Sequence, residues 1–150
     1  MKVIELSIPG LFLIKPDLFK DERGYFLETY NHYRYQDFLG KEMNFVQDNM
    51  SYSRYGTIRG LHFQKEPYAQ AKLVRCTAGK IKDVAVDIRK NSPTFAQYIY
   101  VELSGEELYQ LFIPRGFAHG FSVLSQFAIV EYKCDEYYQK SADSGIRFND

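Results

Sequence analysis

Residues suited to proton chemistry on an anionic substrate crowd one short stretch. Arg59 and His62 lie in Arg59-Gly60-Leu61-His62-Phe63-Gln64, and Lys72 follows in Ala71-Lys72-Leu73-Val74-Arg75. Histidine is the side chain whose ordinary pKa lies near neutrality, so it can act as a base there. An unpaired cation is costly to bury, and cations converging on strand-like segments imply a bound anion that compensates them. The stretch therefore reads as the floor of a site for an anionic, carbonyl-bearing substrate.

His119 has a comparable setting, in Pro114-x-Gly116-x-x-His119. That spacing resembles the second metal-binding motif of cupins, with His62 as a candidate ligand from the first. Metal cupins supply a His-x-His pair and a following Glu, whereas His62 is followed by Phe63, Gln64, Lys65 and Glu66. Two histidines and Glu66 would leave a 2-His-1-carboxylate set, opposed by the charge of Lys72. His32, beside Asn31 and Tyr33, reads as an exposed surface residue.

These side chains must be carried by strands. From residue 44 onward, short apolar-alternating runs are separated by turn residues: 44–51, 60–64, 72–77, 81–89, 97–103, 109–113, 118–123 and 128–132. Turns fall at Tyr55-Gly56, Ala78-Gly79, Asn91-Ser92-Pro93, Ser104-Gly105 and Pro114-Arg115-Gly116. Earlier, two strands flank Pro9-Gly10, a polar loop spans 21–24, and 25–30 reads as a strand. Tyr35, Phe38 and Leu39 fall at helical spacing with Gly40 as a stop. In 82–89, Val84, Val86 and Ile88 share one face, and Asp83, Ala85, Asp87 and Arg89 share the other. Ser104-x-x-Glu107 matches a capping box, but a strand resumes too soon after it for more than a one-turn connection. This pattern predicts an all-β jelly-roll or cupin-like β-sandwich with one or two short helices, in a single domain over 1–150.

Composition bounds the partners. The chain has 150 residues and a formal net charge of zero, so no basic face is implied and nucleic acid is excluded as a default partner. Aromatic residues make up 17%, as Tyr and Phe without Trp, which suits half-buried strands, subunit interfaces and stacking on sugars or bases. Cys76 and Cys134 read as two core thiols, with a disulfide between them as the alternative. With neither a signal peptide nor an apolar run near the ~20 residues of a membrane helix, no membrane is expected and the cytoplasm is the expected location.

Several motifs occur together and in order: Asp21-Glu22-Arg23-Gly24-Tyr25-Phe26-Leu27-Glu28, Phe45-Val46-Gln47-Asp48-Asn49, Arg59-Gly60-Leu61-His62-Phe63-Gln64, Lys72-Leu73-Val74-Arg75, Asp83-Val84-Ala85-Val86-Asp87-Ile88-Arg89, Ser92-Pro93-Thr94-Phe95, Ile113-Pro114-x-Gly116-Phe117-Ala118-His119-Gly120-Phe121 and Tyr132-Lys133-Cys134. Together they resemble the dTDP-4-dehydrorhamnose 3,5-epimerase family over essentially the whole chain. The resemblance implies a metal-free, cofactor-free jelly roll, a cytoplasmic homodimer, and a dTDP-sugar substrate for a surface or spore-coat polysaccharide route. It makes His62 the base, Lys72 the group that holds the enolate and Tyr132 the acid on the opposite face. From the residues alone, Tyr132 reads as core packing. Ligand contacts carry over to Arg23, Glu28, Gln47, Asn49, Arg59 and His119, with Phe26 and Tyr138 as stacking surfaces. Asp83 is expected as a partner behind Lys72 or a histidine.

The chain also departs from the family pattern. Asp143 stands where a glutamate is common, altering an expected substrate contact, and Ala71 where a glycine is common. Longer members continue past the segment matching 146–150, and an aspartate in that continuation orients the catalytic histidine. The expectation is therefore a short member in which another carboxylate serves His62, or His62 is less well oriented, or only one carbon is epimerised. A ketoisomerase, a non-catalytic nucleotide-sugar-binding partner protein and a metal-dependent cupin stand as alternatives.

Overall fold

Alternating side chains draw the chain into strands, and pairing stacks them as two opposed sheets. The computed structural model describes residues 1–147 and 149. In chain order its elements are β1 (Lys2–Glu5), β2 (Phe12–Lys15), β3 (Phe19–Asp21), β4 (Gly24–Phe26), α1 (His32–Leu39), β5 (Gln47–Arg54), β6 (Ile58–Gln64), β7 (Lys72–Ala78), β8 (Lys80–Asp87), β9 (Tyr98–Ser104), β10 (Gln110–Ile113), β11 (Phe117–Val123), β12 (Phe127–Cys134) and β13 (Asp143–Gly145). One sheet runs β1-β2-β10-β7-β12-β5, the other β13-β6-β11-β8-β9, and β3-β4 form a separate ribbon. From β5 onward nearly every connection crosses between the sheets, the jelly-roll, cupin-like arrangement expected from the strand pattern. Among the described residues no helix is long and apolar enough to cross a membrane.

Apolar side chains fill part of the space between the sheets. Val74, Leu111 and Val130 from the larger sheet meet Ile81, Leu103, Phe117 and Phe121 from the other. A second cluster forms outside the larger sheet, where Tyr35 of α1 packs with Leu73, Phe112 and Ile14. Asn31 caps α1 by accepting from the Arg34 amide at 3.3 Å, and the Gly40 amide closes it on Gln36 O. Both cysteines are buried and free.

Several boundaries differ from the sequence reading. The strand expected over 25–30 is only the short ribbon partner Gly24–Phe26, since 27–30 find no partner strand. The strand expected over 44–51 is shifted to Gln47–Arg54, paired with the whole of β12. That over 81–89 stops at Asp87, whose carboxylate accepts from Arg89, Ser92 and Thr94 and folds the chain back. On β8 the acidic face is the inner one: Asp83 and Asp87 are fully buried while Val84 and Val86 look outward. Partners for each carboxylate make that possible. The Ser104 hydroxyl accepts from the Glu107 amide at 3.2 Å in a single turn without a helix. His32 is half-buried rather than simply exposed, with Tyr30 Oη 3.2 Å from Nδ1 and Gln36 Nε2 2.9 Å from Nε2.

Candidate active site

Two walls face each other across the open part of the sandwich. On one wall, β6 and β11 pair so that His62 lies opposite His119. Next to β11, β8 brings Asp83 to the same face, and His119 Nε2 lies 2.9 Å from each of its carboxylate oxygens. The partner of Asp83 is thus a histidine, not Lys72. The opposite wall comes from the larger sheet, where β7 and β12 put Cys134 opposite Lys72 and Tyr132 opposite Val74. Lys72 Nζ stands 5.7 Å from the centre of the Tyr132 ring. Between the walls is a cleft of about 310 Å³, lined by Arg59, His62, Lys72, His119, Tyr132, Tyr138 and Asp143 among others.

Local backbone geometry explains the glycines beside the histidines. A Cβ on Gly60 would fall 2.6 Å from Gly120 Cα, and one on Gly120 would fall 2.6 Å from Arg59 O. The two strands approach too closely at that point for any side chain. The register also shifts there, Arg59 pairing with Phe121 and His62 with His119. The extra residue on β6 turns Arg59 to the same side as His62.

Burial sets the electrostatics of the Lys72 wall. It pushes the Lys72 ammonium below its ordinary pKa, and Cys134, Asp83 and Asp143 pull back the other way. Burial pushes the Tyr132 phenol up, Cys134 adds to the rise and Arg59 opposes it. The phenol is therefore held protonated, and the desolvated ammonium gains by meeting a negative charge. Among the described residues the His62 ring makes no hydrogen bond to the protein, and the buried Asp83 carboxylate of its wall is taken by His119.

The remaining residues expected at the site fall into two groups. Arg59 is held by Ser53 Oγ, which accepts from its Nε at 2.8 Å. Asn49 pairs in register with Tyr132 and, with it, lines a neighbouring cleft outside the one that holds His62, and Gln47 donates to Asn49 Oδ1 at 3.0 Å. Tyr138 Oη donates to Asp143 at 3.3 Å at the rim. Arg23, Phe26 and Glu28 are not brought to the cleft of their own chain. Arg23 and Phe26 sit exposed on the β3-β4 ribbon, where Arg23 pairs with Asp21, and Glu28 binds Arg34 near α1. Their positions follow the ribbon, which is separate from both sheets.

Ser51, Gln64, Gln70 and Phe121 also line the cleft and were not singled out from sequence. Alternation was the available signal for two of them, since Gln64 follows His62 by two on β6 and Ser51 follows Asn49 by two on β5. Ser51 Oγ is a buried side-chain atom without a hydrogen-bond partner among the described residues. A second cleft of about 330 Å³ lies against the larger sheet. It holds neither His62 nor His119, and its charges neutralise each other as Arg75–Glu131 and Lys133–Asp48. The cleft between the sheets is therefore the candidate site. Among the described residues no three His, Cys, Asp or Glu side chains converge as a metal-binding set, and Glu66 is exposed in the loop after β6.

Comparison with known proteins gives a consistent result. A family model for dTDP-4-dehydrorhamnose 3,5-epimerase matches residues 5–150. A dTDP-4-dehydrorhamnose 3,5-epimerase of Shigella flexneri is 51% identical over 150 residues, covering 100% of this chain and 83% of that protein. The crystal structure of the Bacillus anthracis dTDP-4-dehydrorhamnose 3,5-epimerase with TDP and PPi bound has a TM-score of 0.95 at 52% identity, covering 99% of this chain and 85% of that one. The dTDP-6-deoxy-D-glucose-3,5-epimerase of Legionella pneumophila, in complex with dTDP-4-keto-L-rhamnose, has a TM-score of 0.95 at 48% identity, over 98% of this chain and 78% of that one. The match runs through every strand that builds the two walls, and the chain belongs to the dTDP-4-dehydrorhamnose 3,5-epimerase family.

Proposed function

We propose that the protein epimerises a dTDP-4-keto-6-deoxyhexose at carbons 3 and 5, converting dTDP-4-dehydro-6-deoxyglucose to dTDP-4-dehydrorhamnose without a metal or other cofactor. Both carbons flank the ketone, so one carbonyl acidifies both protons. The observation that carries the reading is the division of labour between the walls: His62 projects from one sheet, Lys72 and Tyr132 from the other. Inversion needs a proton removed on one face of the ring and returned on the other. His62 removes it, the Lys72 ammonium holds the enolate oxygen, and the Tyr132 phenol, kept protonated by burial, returns it. Arg59 offsets the diphosphate charge, with His119 beside it on the same wall. Asn49, Tyr138 and Asp143 meet the base and sugar edges, with Gln47 beside them.

Incubation with dTDP-4-keto-6-deoxyglucose in heavy water, followed by mass spectrometry, tests this reading. Two deuteriums incorporated support the double epimerase. One would replace it with a single-carbon epimerase, and none, with binding intact, with a nucleotide-sugar-binding protein. Stoichiometric metal in the active sample would overturn the metal-free mechanism.

The working form we propose is a cytoplasmic homodimer. A two-stranded ribbon is marginal by itself in water, yet β3-β4 stands apart from both sheets with Phe19, Tyr25 and Phe26 exposed. A second copy of the chain would cover those rings and let Arg23, Phe26 and Glu28 reach a neighbouring cleft. Light scattering on the purified protein checks this: a monomeric mass at working concentration would overturn it.

A further inference from the structure

The chain leaves the larger sheet at Cys134 and enters the other at Asp143, and the eight residues between form neither helix nor strand. Backbone amides and carbonyls outside regular structure still require partners. Glutamine side chains supply them here. Gln70 Nε2 donates to Glu136 O at 2.7 Å, and Gln64 Nε2 donates to Tyr137 O at 3.2 Å. The Tyr138 amide donates to Gln47 Oε1 at 2.9 Å, and the Gln139 amide donates to Gln64 Oε1 at 2.6 Å. Four consecutive residues are thus gripped by three amides, from β5, from β6 and from the loop that joins β6 to β7.

Gln64 is central to this arrangement. Only 7% of it is exposed, and its Nε2 also donates to Tyr68 O at 2.7 Å. A carboxamide donates and accepts at once, so a single side chain can hold the backbone on both sides of Tyr138. Leucine fills similar space but does neither, and glutamate keeps only the accepting half. Gln64, Gln70 and Tyr138 all line the cleft. Gln47 has both ends of its amide engaged within the protein, one on Asn49 and one on Tyr138.

We propose that Gln64, with Gln47 and Gln70, is a positioning residue that holds residues 136–139 as a strap along the cleft and so fixes where the Tyr138 ring stands to receive the nucleotide sugar. This rests on the reading of the cleft given above. The amide groups do not titrate, so the grip is independent of pH.

The test compares Gln64→Leu with wild type, each alone and in a Tyr138→Ala background. Losing the hydrogen bonds on either side of Tyr138 should raise KM for dTDP-4-keto-6-deoxyglucose about tenfold, with kcat within about threefold. In the Tyr138→Ala background the same change should move KM less than about twofold, because the ring being positioned is gone. Amide hydrogen exchange at 137–139 should quicken at least about tenfold. An unchanged KM, or the same factor in both backgrounds, overturns the proposal. Should Gln64→Leu fail to fold, Gln70→Leu makes the same comparison at the Glu136 end. If wild type turns over no substrate, the functional reading fails separately. The strap is then judged by dTDP affinity in calorimetry and by exchange at 137–139, and no change in either overturns it.

Discussion

Arg59 and His62 project into the same cleft although they lie three positions apart on β6. On a regular strand that spacing sends two side chains to opposite faces. The register shift opposite Gly120 inserts one extra residue between them and restores a common direction. The cation proposed for the nucleotide end and the candidate base are thereby aligned on one wall.

That alignment depends on Gly60, whose φ of +119° and close approach to Gly120 leave no room for a side chain. Gly60→Ala should destabilise the fold by about 2 kcal/mol or more and depress activity further than stability. Urea unfolding with parallel kinetics checks it. A wild-type midpoint together with full activity would show that the tight crossing is dispensable.

The two walls predict separable defects. His62→Ala should abolish deuterium incorporation from heavy water, with a loss of about 10²-fold or more. Tyr132→Phe should keep the exchange but impair inversion, because the enolate still forms while the opposite-face acid is gone. Normal inversion by Tyr132→Phe would remove the phenol from the mechanism.

Burial of Lys72 carries a pH signature. Its pKa is lowered in the fold, so the folded state loses that proton before the unfolded state does. The burial cost is full below the folded value, is relieved as pH rises through it, and is gone above the ordinary lysine value of 10.5. Activity that needs the ammonium should accordingly fall at a pH below that ordinary value. Lys72→Met should lose about 10²-fold or more in kcat/KM while abolishing the alkaline rise in stability. A rise that persists in Lys72→Met must come from another group.

Acid stability should depend on Asp87. Arg89 beside it holds its carboxyl well below the usual range, burial opposes this, and the Ser92 and Thr94 hydroxyls help. A depressed folded pKa contributes stability that is present above the unfolded value of about 3.9 and is lost as pH falls toward the folded one. Asp87→Asn should cost about 2–4 kcal/mol at neutral pH and flatten the acid limb of a stability–pH curve. An unaltered acid limb would place the acid sensitivity elsewhere.

Strand alternation, turn residues and the one helical patch were readable without coordinates because each is a local property of neighbouring residues. The order of motifs likewise pointed to the family, and His62 and Lys72 stood out by type and company, whereas Tyr132 was legible only through the family resemblance. Other features rest on contacts between residues far apart in the chain, and only the tertiary structure decided them. Asp83 meets a histidine because β8 lies between β9 and β11, and β11 carries His119. The acidic face of β8 turns inward because His119 and the Arg89 loop supply partners. Arg59 reaches the His62 side through a bulge that no period-two reading contains. The strap at Tyr138 is held by glutamines from three separate segments, since backbone without a strand partner takes its hydrogen bonds from whichever amides the fold brings near.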